Sequence, residues 1–135
     1  MRTLLARGTR DKVRKKILVV EDDTDLVELL SYNLKSSGFS VGVANDGVEA
    51  IKKAHLLVPD LILLDLMLPE MDGFAVCEML RRDPVTAGIP VIMLTAQSSE
   101  FARLNGLEAG ADDFFTKPFS PKHLIGRVKE LLHLN

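Results

Sequence analysis

The chain is expected to form a single α/β domain: one doubly wound, five-stranded parallel sheet with helices on both faces. Three observations predict it. Short runs of Val, Ile and Leu alternate with segments whose apolar residues recur every three or four positions. Three of the short runs are apolar throughout, the habit of strands buried on both faces of a parallel sheet. The connections are short, so strict βα alternation requires right-handed crossovers that place helices above and below the sheet.

The first strand is read at Ile17 to Val20, and the helix after it from Leu26, Leu29, Leu30 and Leu34, which share one helical face. Phe39, Val41 and Val43 alternate with Ser40 and Gly42, the pattern of a half-buried second strand. A weaker helical segment, Val48 to Leu57, leads to the third strand at Leu61 to Leu64. Asp72 is placed to cap a helix over Phe74 to Leu80. Val91 to Leu94 form the fourth strand, followed by a helix over Glu100 to Leu107 that ends near Gly110. Phe114 and Phe115 mark a brief fifth strand, and Leu124, Ile125, Val128, Leu131 and Leu132 the stripe of the last helix. Burying the first, third and fourth strands most deeply puts the second and fifth at the edges. That fits the order 2-1-3-4-5.

Composition narrows the function. At 135 residues, 47% hydrophobic and 27% charged, the chain is that of a globular domain, not a disordered or fibrous one. No apolar stretch approaches the length of a membrane span, the N-terminus has no secretory core, and Cys77 is the only cysteine. A reducing, cytoplasmic setting is expected, with no membrane partner. Residues 1–16 carry a net charge of +6 and the remainder −8. Residues 1–15 are read as a flexible basic extension and 16–135 as the domain, whose acidic balance argues against direct nucleic-acid binding.

Chemistry gathers where the strands end. In an open α/β sheet ligands bind beyond the carboxyl ends of the strands where the winding reverses, here between the first and third. Glu21, Asp22 and Asp23 follow one of these strands and Asp65 closes the other. Clustered carboxylates repel unless protonated or neutralised. With few protein oxygens on offer and water to complete an octahedron, Mg²⁺ suits the cluster better than Ca²⁺, and Mn²⁺ could replace it. The fourth strand delivers Thr95 and the fifth Lys117 to the same rim. Metal, ammonium, hydroxyl and a carboxylate nucleophile together suit phosphoryl transfer, and an ionised Asp needs no base. Each residue alone has a plainer explanation: the acidic trio could cap a helix, Thr is common in strands, and Lys sits on many rims. At four successive strand ends they form one constellation. Pro118 is expected to restrain the backbone after Lys117, in cis or as an ordinary loop proline. His55, His123 and His133 are read as surface residues and Cys77 as helix packing.

The segments KILVVEDD (Lys16 to Asp23), PDLILLDLMLPEMDG (Pro59 to Gly73), PVIMLTA (Pro90 to Ala96) and GADDFFTKPF (Gly110 to Phe119) resemble the receiver domain of bacterial two-component response regulators. These form a CheY-like superfamily of flavodoxin-like fold. The resemblance implies a signalling switch, not an enzyme in the ordinary sense, although it catalyses its own phosphorylation and slow dephosphorylation. Asp65 would accept a phosphoryl group from a sensor histidine kinase or phosphotransfer protein. Glu21, Asp22, Asp65 and the backbone carbonyl of Met67 would hold Mg²⁺, Thr95 and Lys117 would sense the phosphoryl group, and Met67 and Gln97 would tune its hydrolysis. Thr95 and Phe114 would carry the switch to the face made by the fourth helix, fifth strand and fifth helix. The surroundings of Gly106, Asp112, Asp113 and Arg127 are most similar to the OmpR/PhoB-type subgroup, which dimerises through that face. His123 stands where that subgroup commonly has Glu, leaving Arg103 without its expected cross-subunit partner. The chain stops at Asn135, so a stand-alone receiver or a domain excised from a longer regulator is expected, with a downstream protein target or a missing output domain.

Two other classes compete. An Asp-nucleophile, Mg²⁺-dependent phosphohydrolase would use the same Asp65, but resembles enzymes that need a second Asp where this chain has Met67. A flavodoxin-like cofactor binder fits the sheet order, but the acidic loop after the first strand would repel a flavin phosphate.

Overall fold

The computed structural model describes residues 14–96 and 100–134. Gln97 and most of the basic extension, residues 1–13, lie outside them. Five strands alternate with five helices: β1 Lys16–Val20, α1 Thr24–Ser36, β2 Ser40–Ala44, α2 Gly47–Leu57, β3 Leu61–Asp65, α3 Gly73–Arg82, β4 Val91–Thr95, α4 Glu100–Glu108, β5 Asp113–Thr116 and α5 Pro121–Leu131. The sheet is parallel throughout in the order β2-β1-β3-β4-β5.

The period-two geometry of a strand sorts its residues into two cores. Leu18, Val20, Ile62, Leu64, Val91 and Met93 face α2, α3 and α4, meeting Ala50, Ala54, Val76, Cys77, Leu80 and Ala102. Ile17, Val19, Leu61, Leu63, Ile92 and Leu94 face α1 and α5, meeting Leu30, Leu34, Leu124, Ile125 and Val128. Every residue of β3 and β4 is buried, whereas β5 is half-buried along its length and β2 nearly so. A fully buried Leu, Ile or Val contributes about 1.5–3 kcal/mol, which is why the unbroken apolar runs hold the centre and the alternating one the edge.

Helix starts follow from the caps. Asp23, Asp46, Asp72 and Ser120 each accept a hydrogen bond from a backbone amide of the first turn that follows, and Pro121 occupies the first turn of α5. α3 runs to Arg82, two residues past the expected end. Its last turn contains Arg81, whose guanidinium donates to the carbonyls of Ala87, Ile89 and Gly110 and to Asp112. Among the described residues no helix is long and apolar enough to cross a membrane.

A candidate phosphoryl-acceptor site at the strand ends

Register delivers the site. β3 pairs with β1 on one side and β4 on the other, so Asp65 lies opposite Leu94, one residue before Thr95. The Lys117 amide donates to the Thr95 carbonyl at 2.7 Å, which carries the β4–β5 ladder one step beyond the strands. Glu21 is tied in the same way on the other flank, its amide donating to Ala44 at 3.0 Å.

Glu21, Asp22 and Asp65 each present a carboxylate oxygen, all within 4.8 Å of one another. Glu21 and Asp65 are buried, at 1% and 3% exposure, whereas Asp22 faces solvent. Asp23 separates from the acidic trio: its side chain accepts from the amides of Asp25 and Leu26 and caps α1. The sequence pattern thus contains both a candidate site pair and a helix cap. Lys117 Nζ reaches Glu21 Oε1 at 3.0 Å and Asp65 Oδ1 at 3.5 Å. Asp65 Oδ1 also accepts from the Met67 amide at 3.2 Å, while Oδ2 takes no hydrogen bond from the described residues. Thr95 is fully buried at the end of β4. The Lys117–Pro118 peptide is cis, one of the two forms the sequence left open.

Burial pushes the Glu21 carboxyl up to about 7 in spite of hydrogen bonds from the Asp23 amide and Lys117, and the charge of Asp65 pushes the same way. Burial also opposes the charge on Lys117. The hydrogen bond to Glu21 and the charges of Asp65 and Glu21 outweigh it, holding the ammonium above its ordinary range.

With all three carboxylates ionised, as they would be around a cation, the one ammonium beside them leaves two negative charges uncompensated, the deficit that a divalent ion would fill. Oxygens about 2.1 Å from an octahedral ion lie about 3–4.2 Å apart, so the trio needs only a small closing movement. The donor set, all oxygen with one member open to water, fits Mg²⁺.

Phe114 is half-buried, its ring beside Gly106 of α4; a Cβ at Gly106 would lie 3.2 Å from the ring and 3.3 Å from the Met93 sulfur. On the same face Asp113 pairs with Arg127 at 2.6 Å and Arg103 with Glu100 at 3.4 Å, while Asp112 is held by Arg81 at 3.1 Å. His123 and His133 are exposed; His55 pairs with Asp83 at 2.6 Å; Cys77 is buried in α3. Arg81 was not singled out from the sequence, because the carbonyls it gathers come from segments with no shared pattern.

Fold and site together define a phospho-accepting signalling domain. The sequence matches the model of the response regulator receiver domain over residues 17–129, and the chain belongs to that family. It is 52% identical over 120 residues to the alkaline phosphatase synthesis transcriptional regulatory protein PhoP of Bacillus subtilis, covering 89% of this chain and 49% of that protein. Against the DNA-binding response regulator MtrA of Mycobacterium tuberculosis it is 47% identical over 125 residues, covering 93% and 54%. The chain therefore spans about half the length of these curated relatives. Among solved structures it resembles the signal receiver domain of a signal transduction histidine kinase from Syntrophus aciditrophicus (41% identity, TM-score 0.82, 88% of this chain and 90% of that one). A two-component response regulator from Clostridium difficile is similarly close (32%, TM-score 0.84, 89% and 97%). The phosphohydrolase alternative is not favoured by these matches.

Proposed function

We propose that Asp65 is the phosphoacceptor of this receiver domain, and that it takes its phosphoryl group from a phosphohistidine of a sensor kinase or phosphotransfer protein in the cytoplasm. The observation that carries this reading is the asymmetry of the Asp65 carboxylate: Oδ1 is anchored by the Met67 amide and Lys117, leaving Oδ2 for attack. In the transfer, an Oδ2–P bond forms as the P–N bond of the donor breaks. The electron pair returns to the imidazole nitrogen, and Asp65 becomes an acyl phosphate. Lys117, 3.5 Å from Asp65 Oδ1, would meet the incoming oxygens, and the Thr95 hydroxyl would donate to them from the end of the adjacent strand. Glu21, Asp22, Asp65 and the Met67 carbonyl would hold Mg²⁺, which when bound would neutralise phosphoryl charge.

The product adds charge beside Thr95. The response is assigned to Thr95 and Phe114, with α4, β5 and α5 as the face that changes and the route to a homodimer, a downstream protein or an output domain. The test is chemical. Acetyl phosphate or phosphoramidate with Mg²⁺ should add one phosphoryl group to the intact mass of the wild type and none to Asp65→Asn; an unmodified wild type would overturn the assignment. Size measurement on the modified protein then reads dimerisation directly.

A further inference from the structure

The loop from Leu66 to Asp72 leaves the acceptor residue and returns to it. Leu66 is held from both sides: its amide donates to Leu94 at 2.7 Å and its carbonyl accepts from Gly73 at 2.8 Å. Gly73, the first residue of α3, therefore packs against the peptide it closes on. A Cβ there would lie 2.7 Å from the Asp65 carbonyl oxygen and 2.8 Å from Leu66 Cα, both backbone atoms. The crest of the loop is fixed separately. Glu70 has φ +69°, and the Met71 amide donates to Pro69 at 2.7 Å. Met71 then rests on Gly47, the first residue of α2, where a Cβ would lie 2.8 Å from Val76 Cγ2, 3.0 Å from Met71 Cβ and 3.2 Å from the Met71 carbonyl oxygen. The start of α2 is itself capped: Asp46 accepts from the Glu49 amide and Glu49 accepts from that of Asn45.

From these contacts we infer that Gly73 and Gly47 are positioning residues for the cation site, two points without a side chain that clamp the loop bearing Met67 and so set its placement relative to Asp65. The inference rests on the Mg²⁺ reading above. Its logic is steric: Gly73 borders the main chain of the acceptor itself, and an added methyl must displace either the Asp65–Leu66 peptide or the start of α3. Gly47 acts at the crest through Met71. Gly88, with nothing within 4 Å of its Cβ position, is the matched control.

MgCl₂ titration of the full chain, followed by amide NMR shifts, with thermal melts in EDTA on the same samples, tests it. Gly73→Ala should weaken Mg²⁺ binding about tenfold, the cost typical of disturbing the shell behind metal ligands. Gly47→Ala should weaken it in the same direction, and Gly88→Ala should leave it alone. A purely structural role would lower the melting temperature of Gly73→Ala and Gly47→Ala yet leave both binding Mg²⁺ like the wild type, and that result overturns the inference. Should Gly73→Ala not fold, Gly47→Ala decides, because two of its three collisions are with side-chain atoms able to give way. A wild type with no Mg²⁺-dependent shifts would overturn the metal reading and this inference with it.

Discussion

Lys117 leans on Glu21 more closely than on Asp65, 3.0 Å against 3.5 Å, although these residues come from opposite ends of the chain. A single ammonium is thereby shared by two carboxylates that are almost wholly buried. An exposed pair of this kind would contribute about 0–1 kcal/mol, but removing the one cation that the described residues bring to these buried carboxylates costs more. Lys117→Ala is therefore expected to lower stability by about 2–4 kcal/mol in EDTA. Urea melts with and without millimolar Mg²⁺ check it. The gap to wild type should narrow when the ion is present, because it neutralises the same oxygens; an equal gap in both conditions would argue against a shared site.

Asp22 offers a cleaner separation of binding from folding. It is the exposed member of the trio, so Asp22→Asn should leave the EDTA melt within about 0.5 kcal/mol of wild type. Its Mg²⁺ affinity should fall on the order of tenfold, since ligand charge sets the affinity of hard cations. Wild-type protein at a hundredfold excess of Mg²⁺ over its Kd should gain about 2.7 kcal/mol, and the variant less at the same concentration. Undiminished stabilisation of the variant by Mg²⁺ would remove Asp22 from the site.

Arg81 is a structural counterpart at the opposite end of the sheet. Its guanidinium ties α3 to the carbonyls of Ala87, Ile89 and Gly110 and to Asp112, which also accepts from the Val91 amide. Arg81→Ala leaves these acceptors without their donor and should cost about 2–4 kcal/mol. Denaturant midpoints measure it, and a loss below about 0.5 kcal/mol would place the clasp among ordinary surface interactions.

The His55–Asp83 pair gives a pH dependence. The hydrogen bond from His55, and then that from the Val85 amide, hold the half-buried Asp83 carboxyl below its ordinary value. A depressed carboxyl stabilises the fold above the unfolded Asp value, about 3.9, and that contribution disappears as pH falls through the lower folded value. Melting curves of wild type and His55→Ala should therefore differ at pH 5 and converge as the pH is taken below the unfolded Asp value. Curves that diverge further on acidification contradict the assignment.

Much of the fold was legible because burial leaves a pattern. Ile17 to Val20, Leu61 to Leu64 and Val91 to Leu94 are apolar on both strand faces, and only a central position in a parallel sheet uses both. Asp65 was legible as an acid at the end of such a run. The division of labour within Glu21, Asp22 and Asp23 was not, because one carboxylate caps a helix while its neighbours face the site, and that choice depends on where α1 begins. The contacts of Gly47 and Gly73 were hidden too: a glycine's tight surroundings come from whatever packs against it, which neighbouring residues do not encode.

Asp65 and the Lys117 ammonium are 52 residues apart in the chain, and Lys117 follows the last strand of the sheet. During synthesis the buried carboxylate thus emerges well before the cation that stands beside it. A copy still leaving the ribosome, or cut short before β5, would carry Asp65 without that partner.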